Sequence, residues 1–246
     1  MSAKTPVIPE KIEMIALDLD GTLTQHRTPL AEQNRNVLYK LAERYKLLMV
    51  GAGTCSRIYE QMGHFPIDII GNYGMQYARY EDGQLNIVRS ENALVDEAEV
   101  RRRAGVIRKQ FGLEEYYGDT IEIHSTGMLT FSLVGTKAPI DVKLSCDPDR
   151  SRRRAMYDFV RELFYDYSAI IGGSSSFDLI PGAYGKYNAL KRYLEENGLS
   201  VEEMLYIGDD YEPGGGDHDV FASEIPFLVV DQYENFETLV SGLLSD

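Results

Sequence analysis

Tryptophan is absent from this chain of 246 residues, cysteine occurs only twice, and basic residues are in short supply, 25 against 39 acidic ones. Cys55 and Cys146 are too few for a disulfide framework and suit a reducing compartment. No apolar run reaches the roughly 18 residues that a membrane span needs, and the opening segment MSAKTPVIPE lacks the apolar stretch of a secretion signal. The expectation is a soluble, cytoplasmic protein. A formal net charge of −14 argues against nucleic acid or an anionic membrane as a partner, because either would meet like charge. A small anionic ligand is still admissible, provided that a local cationic pocket exists. There is no internal repeat and no low-complexity tract.

The pattern that is present alternates strands with helices. KIEMIALDLD is apolar for most of its length and ends in acid; PLAEQNRNVLYKLAERY then places Leu30, Val37, Leu38 and Leu41 at helical spacings. KLLMVGAG, SRIYEQMG and IDIIGNYG continue as strand, helix and strand, the order of parallel βαβ units. After about residue 84 the character changes. Residues 91–111 predict a charged helix; TIEIHS, GMLTFSLVG and IDVKLSCD predict half-buried strands; DRSRRRAMYDFVRELFYDY predicts an amphipathic helix. YNALKRYLEENGL, EMLYIGDD and PFLVVD resume the first pattern, followed by a short final helix. The fold class expected is α/β, a Rossmann-like parallel-sheet core over residues 1–83 and 185–246 with an α+β domain, 84–184, inserted as a cap.

Ligands of such sheets bind outside the carboxyl ends of the strands, where IALDLDGTLT puts Asp18 and Asp20. Alternate residues of a strand point the same way, so the two carboxylates can share a cavity. They repel unless a cation or proton lies between them, and an oxygen-rich cluster suits Mg²⁺. Gly21 permits a sharp turn there and Thr22 offers a hydroxyl to lock it. LYIGDDYEPGGGDHD ends another buried strand in Asp209 and Asp210, with Asp217 and Asp219 beyond a glycine loop. Asp209 is the expected further metal ligand, Asp210 the next choice. For a phosphate substrate the positive partner would be Lys186, at the start of a helix. Thr54 and the N–H groups of GAGT form an uncharged cradle, and Asn72 and Arg27 are further candidates for holding substrate.

Taken together, DLDGTLT, the Lys186 segment and GDDYEPGGGDHD resemble the haloacid dehalogenase superfamily of phosphotransferases that use an aspartate nucleophile. Read with IYEQMG, GGSSSFDLIPGAYGK and YIGDDYEPGGGDHDVF, the chain is similar to the eukaryotic-type phosphomannomutases. That resemblance implies Asp18 as nucleophile, Asp20 as general acid and base, and Mg²⁺ held by the Asp18 and Asp209 carboxylates and the Asp20 backbone carbonyl. It implies Lys186 offsetting charge beside Asp18, Thr54 holding a phosphoryl oxygen, Ser176 and Asp178 holding a sugar, and a homodimer joined through the caps.

The cap departs from the family pattern. Around HSTGMLTFSLVGT, His124, Ser125 and Thr126 precede GML, Thr130 replaces an asparagine, and Thr136 stands where an arginine is expected. Neutral groups have replaced forked cationic donors that clamp phosphate, and Arg150, Arg152, Arg153 and Arg154 are the candidates to compensate. The second-strand motif departs too, with Gly53 at the usual hydroxyl position and Thr54 one place late. These departures favour a Mg²⁺-dependent phosphatase acting on a small phosphorylated metabolite, a sugar phosphate in particular, over a mutase of mannose or glucose phosphates. A silent scaffold would be marked by loss of Asp18 or Asp20, and both are present.

Overall fold

The computed structural model describes residues 11–244; the N-terminal segment read above for a secretion signal lies outside them. The strands are β1 (Met14–Leu17), β2 (Lys46–Val50), β3 (Asp68–Gly71), β4 (Gln76–Glu81), β5 (Gln84–Ser90), β6 (Ile121–Ile123), β7 (Leu129–Ser132), β8 (Tyr167–Ile170), β9 (Ser176–Pro181), β10 (Met204–Gly208) and β11 (Phe227–Val229). The helices are α1 (Glu32–Ala42), α2 (Cys55–Gln61), α3 (Glu97–Gln110), α4 (Ile140–Cys146), α5 (Ser151–Leu163), α6 (Lys186–Asn197), α7 (His218–Phe221), α8 (Phe236–Leu239) and α9 (Ser241–Leu244). None of them is long and apolar enough to cross a membrane.

The chain forms two compact units. The first holds, of the described residues, 11–90, 186–212 and 217–244, built on a sheet ordered β11-β10-β1-β2-β3-β4-β5. β11 through β3 are parallel, and β4 and β5 close the far edge antiparallel. β1 is buried at all four positions, as a strand covered on both faces must be. Its alternate residues feed two cores: Ile15 and Leu17 pack with Val37, Leu38 and Ile58 of α1 and α2, while Met14 and Ala16 pack with Leu190 and Tyr193 of α6. The β4–β5 hairpin was not foreseen, although its Asp82-Gly83 turn, at φ of 53° and 81°, carries the usual hairpin signal. It keeps residues 84–90 with the first unit, so the division falls at 90/91 instead of 83/84.

The second unit, residues 91–185 with 213–216, carries an antiparallel sheet ordered β6-β7-β9-β8. Leu129, Phe131, Phe177 and Leu179 point to one face and pack with Ile107 of α3 and Met156 and Val160 of α5. By strand alternation Thr130, Ser132, Ser176 and Asp178 occupy the opposite face. IDVKLSCD, expected as a strand, is helix α4. Its alternating Ile140 and Leu144 remain 69% and 57% exposed, so the period-two pattern served no sheet face. Pro139, with φ fixed near −54°, instead opens a helical turn, and Lys143 N–H and Ser145 Oγ–H donate to the carbonyls of Pro139 and Asp141.

Candidate active site

In the first unit, β1 and β10 lie side by side and end together, Leu17 level with Ile207. Asp18 follows β1, its N–H donating to Ile207 O, and Asp209 follows β10. Gly21 lets them meet. Its φ of +100° suits glycine, and a Cβ there would collide with the Asp209 carboxylate. Thr22 donates from Oγ1 to Asp209 Oδ1 at 2.7 Å. Lys186, the first residue of α6 and only 5% exposed, donates to Asp18 Oδ1 at 2.5 Å and to Asp217 Oδ1 at 2.7 Å.

Asp217 is the partner that sequence reasoning left out of the site. It has no exposed surface, and both of its oxygens are filled. Oδ1 also accepts from Tyr206 Oη at 2.6 Å, while Oδ2 accepts from the N–H groups of Asp209 and Asp210 at 3.2 and 3.1 Å. The last glycine of β10, Gly208, makes room, since a Cβ there would lie 2.6 Å from Asp217 Oδ2. Asp217 therefore fixes the loop that aims Asp209 and holds Lys186. The signal for it was the acid following the glycine loop in GDDYEPGGGDHD.

Asp18, Asp209 and Asp217 can bring ligand atoms within 4.8 Å of one another. Three carboxylates against one ammonium leave two negative charges uncompensated when all are ionised. Burial pushes the Asp18 carboxyl well above the carboxylate range; Asp217 and Asp209 add to this and Lys186 opposes it. Burial also raises Asp209, to about 6, with Asp217 adding to the shift and the Thr22 bond opposing it. Burial opposes the charge on Lys186, but Asp18 and Asp217 outweigh it and hold the ammonium well above its ordinary value. The lysine keeps its proton, and what the cluster lacks is further positive charge. With both Asp217 oxygens filled, the Asp18 and Asp209 carboxylates are the ones left to supply oxygens, and that donor set fits a small, hard divalent cation.

The Asp20 carboxylate is not part of this cluster. Its Oδ1 accepts from Arg27 N–H at 2.7 Å and from Gln61 Nε2 at 2.6 Å; Arg57 NH2 lies 3.7 Å from Oδ2. Arg57 also donates to Gln61 Oε1 at 2.9 Å, closing a ring of three side chains. β1 ends at Leu17, and after the turn through Gly21, whose N–H donates to Thr24 O, the Asp20 carboxylate takes partners on and around α2 instead of a place among the three clustered aspartates. Arg27, with φ of 57°, bonds Asp20 through its backbone while its side chain is exposed. Gln61 lies in IYEQMG, a segment already marked by its family resemblance, but nothing local identified its role.

Thr54 is the N-cap of α2, Oγ1 accepting from Arg57 N–H at 3.2 Å, which leaves its hydroxyl proton for a ligand. Asn72 and Tyr73 are both left-handed, at φ of 48° and 52°, an uncommon pairing for non-glycine residues. Their N–H groups donate to Gly53 O and Gly51 O, binding the end of β3 to the GAGT loop.

Ser176 and Asp178 lie in the second unit, on the helix-free face of its sheet, across from Ser132 and Thr130. Asp178 accepts from Thr130 Oγ1 at 3.3 Å, and Ser176 Oγ donates to Gly172 O. Arg153 does not replace the missing cap arginines. It is 1% exposed, pairs with Asp147 at 2.7 Å and donates to the carbonyls of Gly172, Gly173 and Ser176 at 2.6, 3.0 and 3.0 Å.

With this geometry in place, comparison with known proteins is informative. The sequence profile described as eukaryotic phosphomannomutase matches residues 34–231. The chain belongs to the eukaryotic phosphomannomutase family. A phosphomannomutase of Spinacia oleracea is 28% identical over 228 residues, 87% of this chain and 88% of that protein. One of Saccharomyces cerevisiae is 27% identical over 231 residues, 87% of each. Among solved structures, the IMP-bound IMP-nucleotidase of Plasmodium falciparum superposes with a TM-score of 0.67 at 14% identity, covering 96% of this chain and 69% of that one. The fold is that of the haloacid dehalogenase superfamily, and the protein is a phosphotransferase of that type.

Proposed function

We propose that the protein transfers a phosphoryl group of a hexose phosphate through Asp18, interconverting the 1- and 6-phosphates of mannose or glucose. The observation that carries this is the buried Asp18–Lys186–Asp217 array beside Asp209 at adjacent strand ends, in a chain of this family. Asp18 attacks phosphorus as its oxygen–phosphorus bond forms and the bond to the sugar oxygen breaks, and Asp20 delivers a proton to the departing oxygen. In the second half Asp20 takes the proton from the accepting hydroxyl, which attacks the aspartyl phosphate and releases Asp18. Lys186 stays charged and offsets the negative charge gathering on Asp18 and the phosphoryl oxygens. Gln61 and Arg57 keep the Asp20 carboxylate away from Lys186, so that it is free to exchange protons with the sugar. Asp18 and Asp209 would hold Mg²⁺, whose contribution when bound is to reduce the repulsion between carboxylate and phosphate.

A specific observation supports a second reading, hydrolysis. Of the four arginines offered to clamp a second phosphate, Arg153 is enclosed in structural bonds, and Thr130 and Thr136 are neutral. The same chemistry with water as acceptor gives a sugar phosphatase. Hexose 1- and 6-phosphates incubated with Mg²⁺, with and without a catalytic amount of hexose 1,6-bisphosphate, separate the readings. Bisphosphate-dependent isomerisation supports the mutase; phosphate release without isomerisation replaces it with the hydrolase; neither activity in wild type sinks both.

A further inference from the structure

Gly53 stands bare where the second-strand motif usually carries a hydroxyl, and the structure shows what uses the space. Gly53 is buried, its φ lies outside the left-handed region, and its carbonyl accepts from Asn72 N–H at 2.7 Å, so the backbone there would suit any residue. What excludes a side chain is Arg57. A Cβ built on Gly53 would overlap Nε, Cζ and NH2 of the Arg57 guanidinium, which therefore lies in the volume that a serine or threonine at position 53 would fill. The arginine is held there lightly. NH1 donates to Gln61 Oε1 at 2.9 Å, and NH2 stands 3.7 Å from Asp20 Oδ2, within electrostatic reach but beyond a hydrogen bond. Of five N–H groups Gln61 uses one, no other acceptor among the described residues bonds the guanidinium, and the side chain is half-exposed. Forked donors are left for a ligand. Strand register puts them beside the reacting carboxylate: β1 and β2 are parallel neighbours with Leu17 level with Met49, so Asp18 and the GAGT loop leave adjacent carboxyl ends. Lys186 is already taken up by Asp18 and Asp217. A phosphoryl group arriving here adds negative charge to a cluster short of positive charge, and a guanidinium fork matches two of its oxygens.

We infer that Arg57, reaching through the gap at Gly53, is a further catalytic residue: it donates N–H bonds to oxygens of the phosphoryl group under transfer, in place of the hydroxyl that Gly53 lacks. This rests on the reading of phosphoryl transfer through Asp18, and it is the same whether the acceptor is a sugar hydroxyl or water. The competing use of the same contacts is positioning alone, with Arg57 holding Gln61 against Asp20.

Binding and turnover test the two uses on the full-length chain. Inorganic phosphate binding to Asp18→Asn with Mg²⁺, measured by calorimetry, should weaken about 10- to 100-fold when Arg57→Ala is added, the range of a charged hydrogen bond, and by as much when Asp20→Asn is also present. A loss that vanishes in the presence of Asp20→Asn makes Arg57 a positioning residue only. No loss, or no phosphate binding with Arg57 intact, overturns the contact itself. In turnover of p-nitrophenyl phosphate, Arg57→Ala should lower kcat/KM by about 10- to 100-fold. Gly53→Ala, which fills the gap without a donor, should do the same, and the two changes together should be no worse than either alone. Gly53→Ser combined with Arg57→Ala should then be about 3- to 10-fold more active than Gly53→Ala combined with Arg57→Ala, the return from one neutral hydrogen bond. Additive losses, or no advantage of serine over alanine, would show that the guanidinium and the hydroxyl do not share a place. Because phosphate binding needs no turnover, a wild type that turns over no phosphate ester yet binds phosphate through Arg57 sinks the transfer reading and leaves the contact standing.

Discussion

At the strand ends of the first unit, three aspartates gather around one lysine, whereas in the second unit buried Arg153 is matched: it meets the Asp147 carboxylate and the carbonyls of Gly172, Gly173 and Ser176, and each of those bonds joins elements of the same unit. The first arrangement leaves a charge deficit in the folded protein and the second leaves none. A deficit kept in a folded protein is what a site awaiting a cation and an anionic substrate requires, whereas a matched pair holds α5 to the β9 approach. Position in sequence does not separate the two cases, since both are runs of charge beside hydrophobic segments. What separates them is whether the groups around each charge satisfy it.

The comparison is most easily broken at Asp18. Asp18→Asn should lower turnover of any phosphate ester by at least about 10³-fold, because an amide is a poor nucleophile. The same change removes one of three crowded carboxylates, so the melting temperature of the metal-free protein should hold or rise. A fall of several degrees would mean that Asp18 is structural. Asp217→Asn should behave oppositely. Each Asp217 oxygen accepts two bonds, and an amide would put its NH₂ against existing donors. Thermal or urea unfolding should register a loss on the order of 3 kcal/mol, accompanied by reduced activity. In the second unit Arg153→Met should cost about 3 kcal/mol by stranding Asp147 in the interior. Among molecules still folded, p-nitrophenyl phosphate turnover should be unchanged. If instead activity falls and stability does not, Arg153 belongs with the substrate and the contrast between the units is wrong.

Much of the first unit could be read in advance because its strands are continuous apolar runs and its helices keep a 3.6-residue period. Asp18, Asp209 and Lys186 were also legible, each at the junction of a recognisable strand or helix with a loop. Asp217 was not. It follows a glycine loop whose path is set by hydrogen bonds from Asp209 and Asp210, contacts between residues seven and eight positions apart that no local pattern encodes. The partners of the Asp20 carboxylate, Arg27 N–H and Gln61, were missed for a similar reason, since they stand 7 and 41 positions along the chain. In the second unit α4 read as a strand because Ile140, Val142 and Leu144 alternate, a pattern that means little when Ile140 and Leu144 stay exposed.

pH sharpens the contrast. Asp209 is raised to about 6 in the folded protein, so between roughly pH 4 and 6 the native state binds more protons than the unfolded chain. Stability of the metal-free protein should therefore fall as pH rises through that window, by on the order of 2 kcal/mol, with Asp18 acting in the same direction. Saturating Mg²⁺ should flatten the slope by favouring the ionised carboxylates. Asp147 has the opposite sign. Burial works against its charge, but Arg153 and two backbone N–H groups outweigh burial and hold it below the carboxylate range. Its contribution is present above the unfolded pKa and is lost as pH falls. Hydrogen exchange in EDTA should show β1 and β10 losing protection as pH rises from about 4 to 6, and α5 losing protection as pH falls below about 4. The same trend in both elements would show that their charges are not balanced differently.

The smallest expected effect is at Thr54, where two roles overlap in one hydroxyl. As N-cap of α2 the oxygen accepts from Arg57 N–H; as a phosphate-binding group the hydroxyl would donate its proton. Asparagine also caps helices through an oxygen but has no hydroxyl, so Thr54→Asn should leave stability within about 0.5 kcal/mol, whereas Thr54→Ala should cost about 1 kcal/mol. If the hydroxyl donates to a phosphoryl oxygen, both variants should lose about 3- to 10-fold in kcat/KM, the value of one neutral hydrogen bond. Full activity in Thr54→Asn with reduced activity in Thr54→Ala would reduce Thr54 to a cap. The GAGT loop would then hold phosphate through its N–H groups alone, with the α2 cap setting their direction.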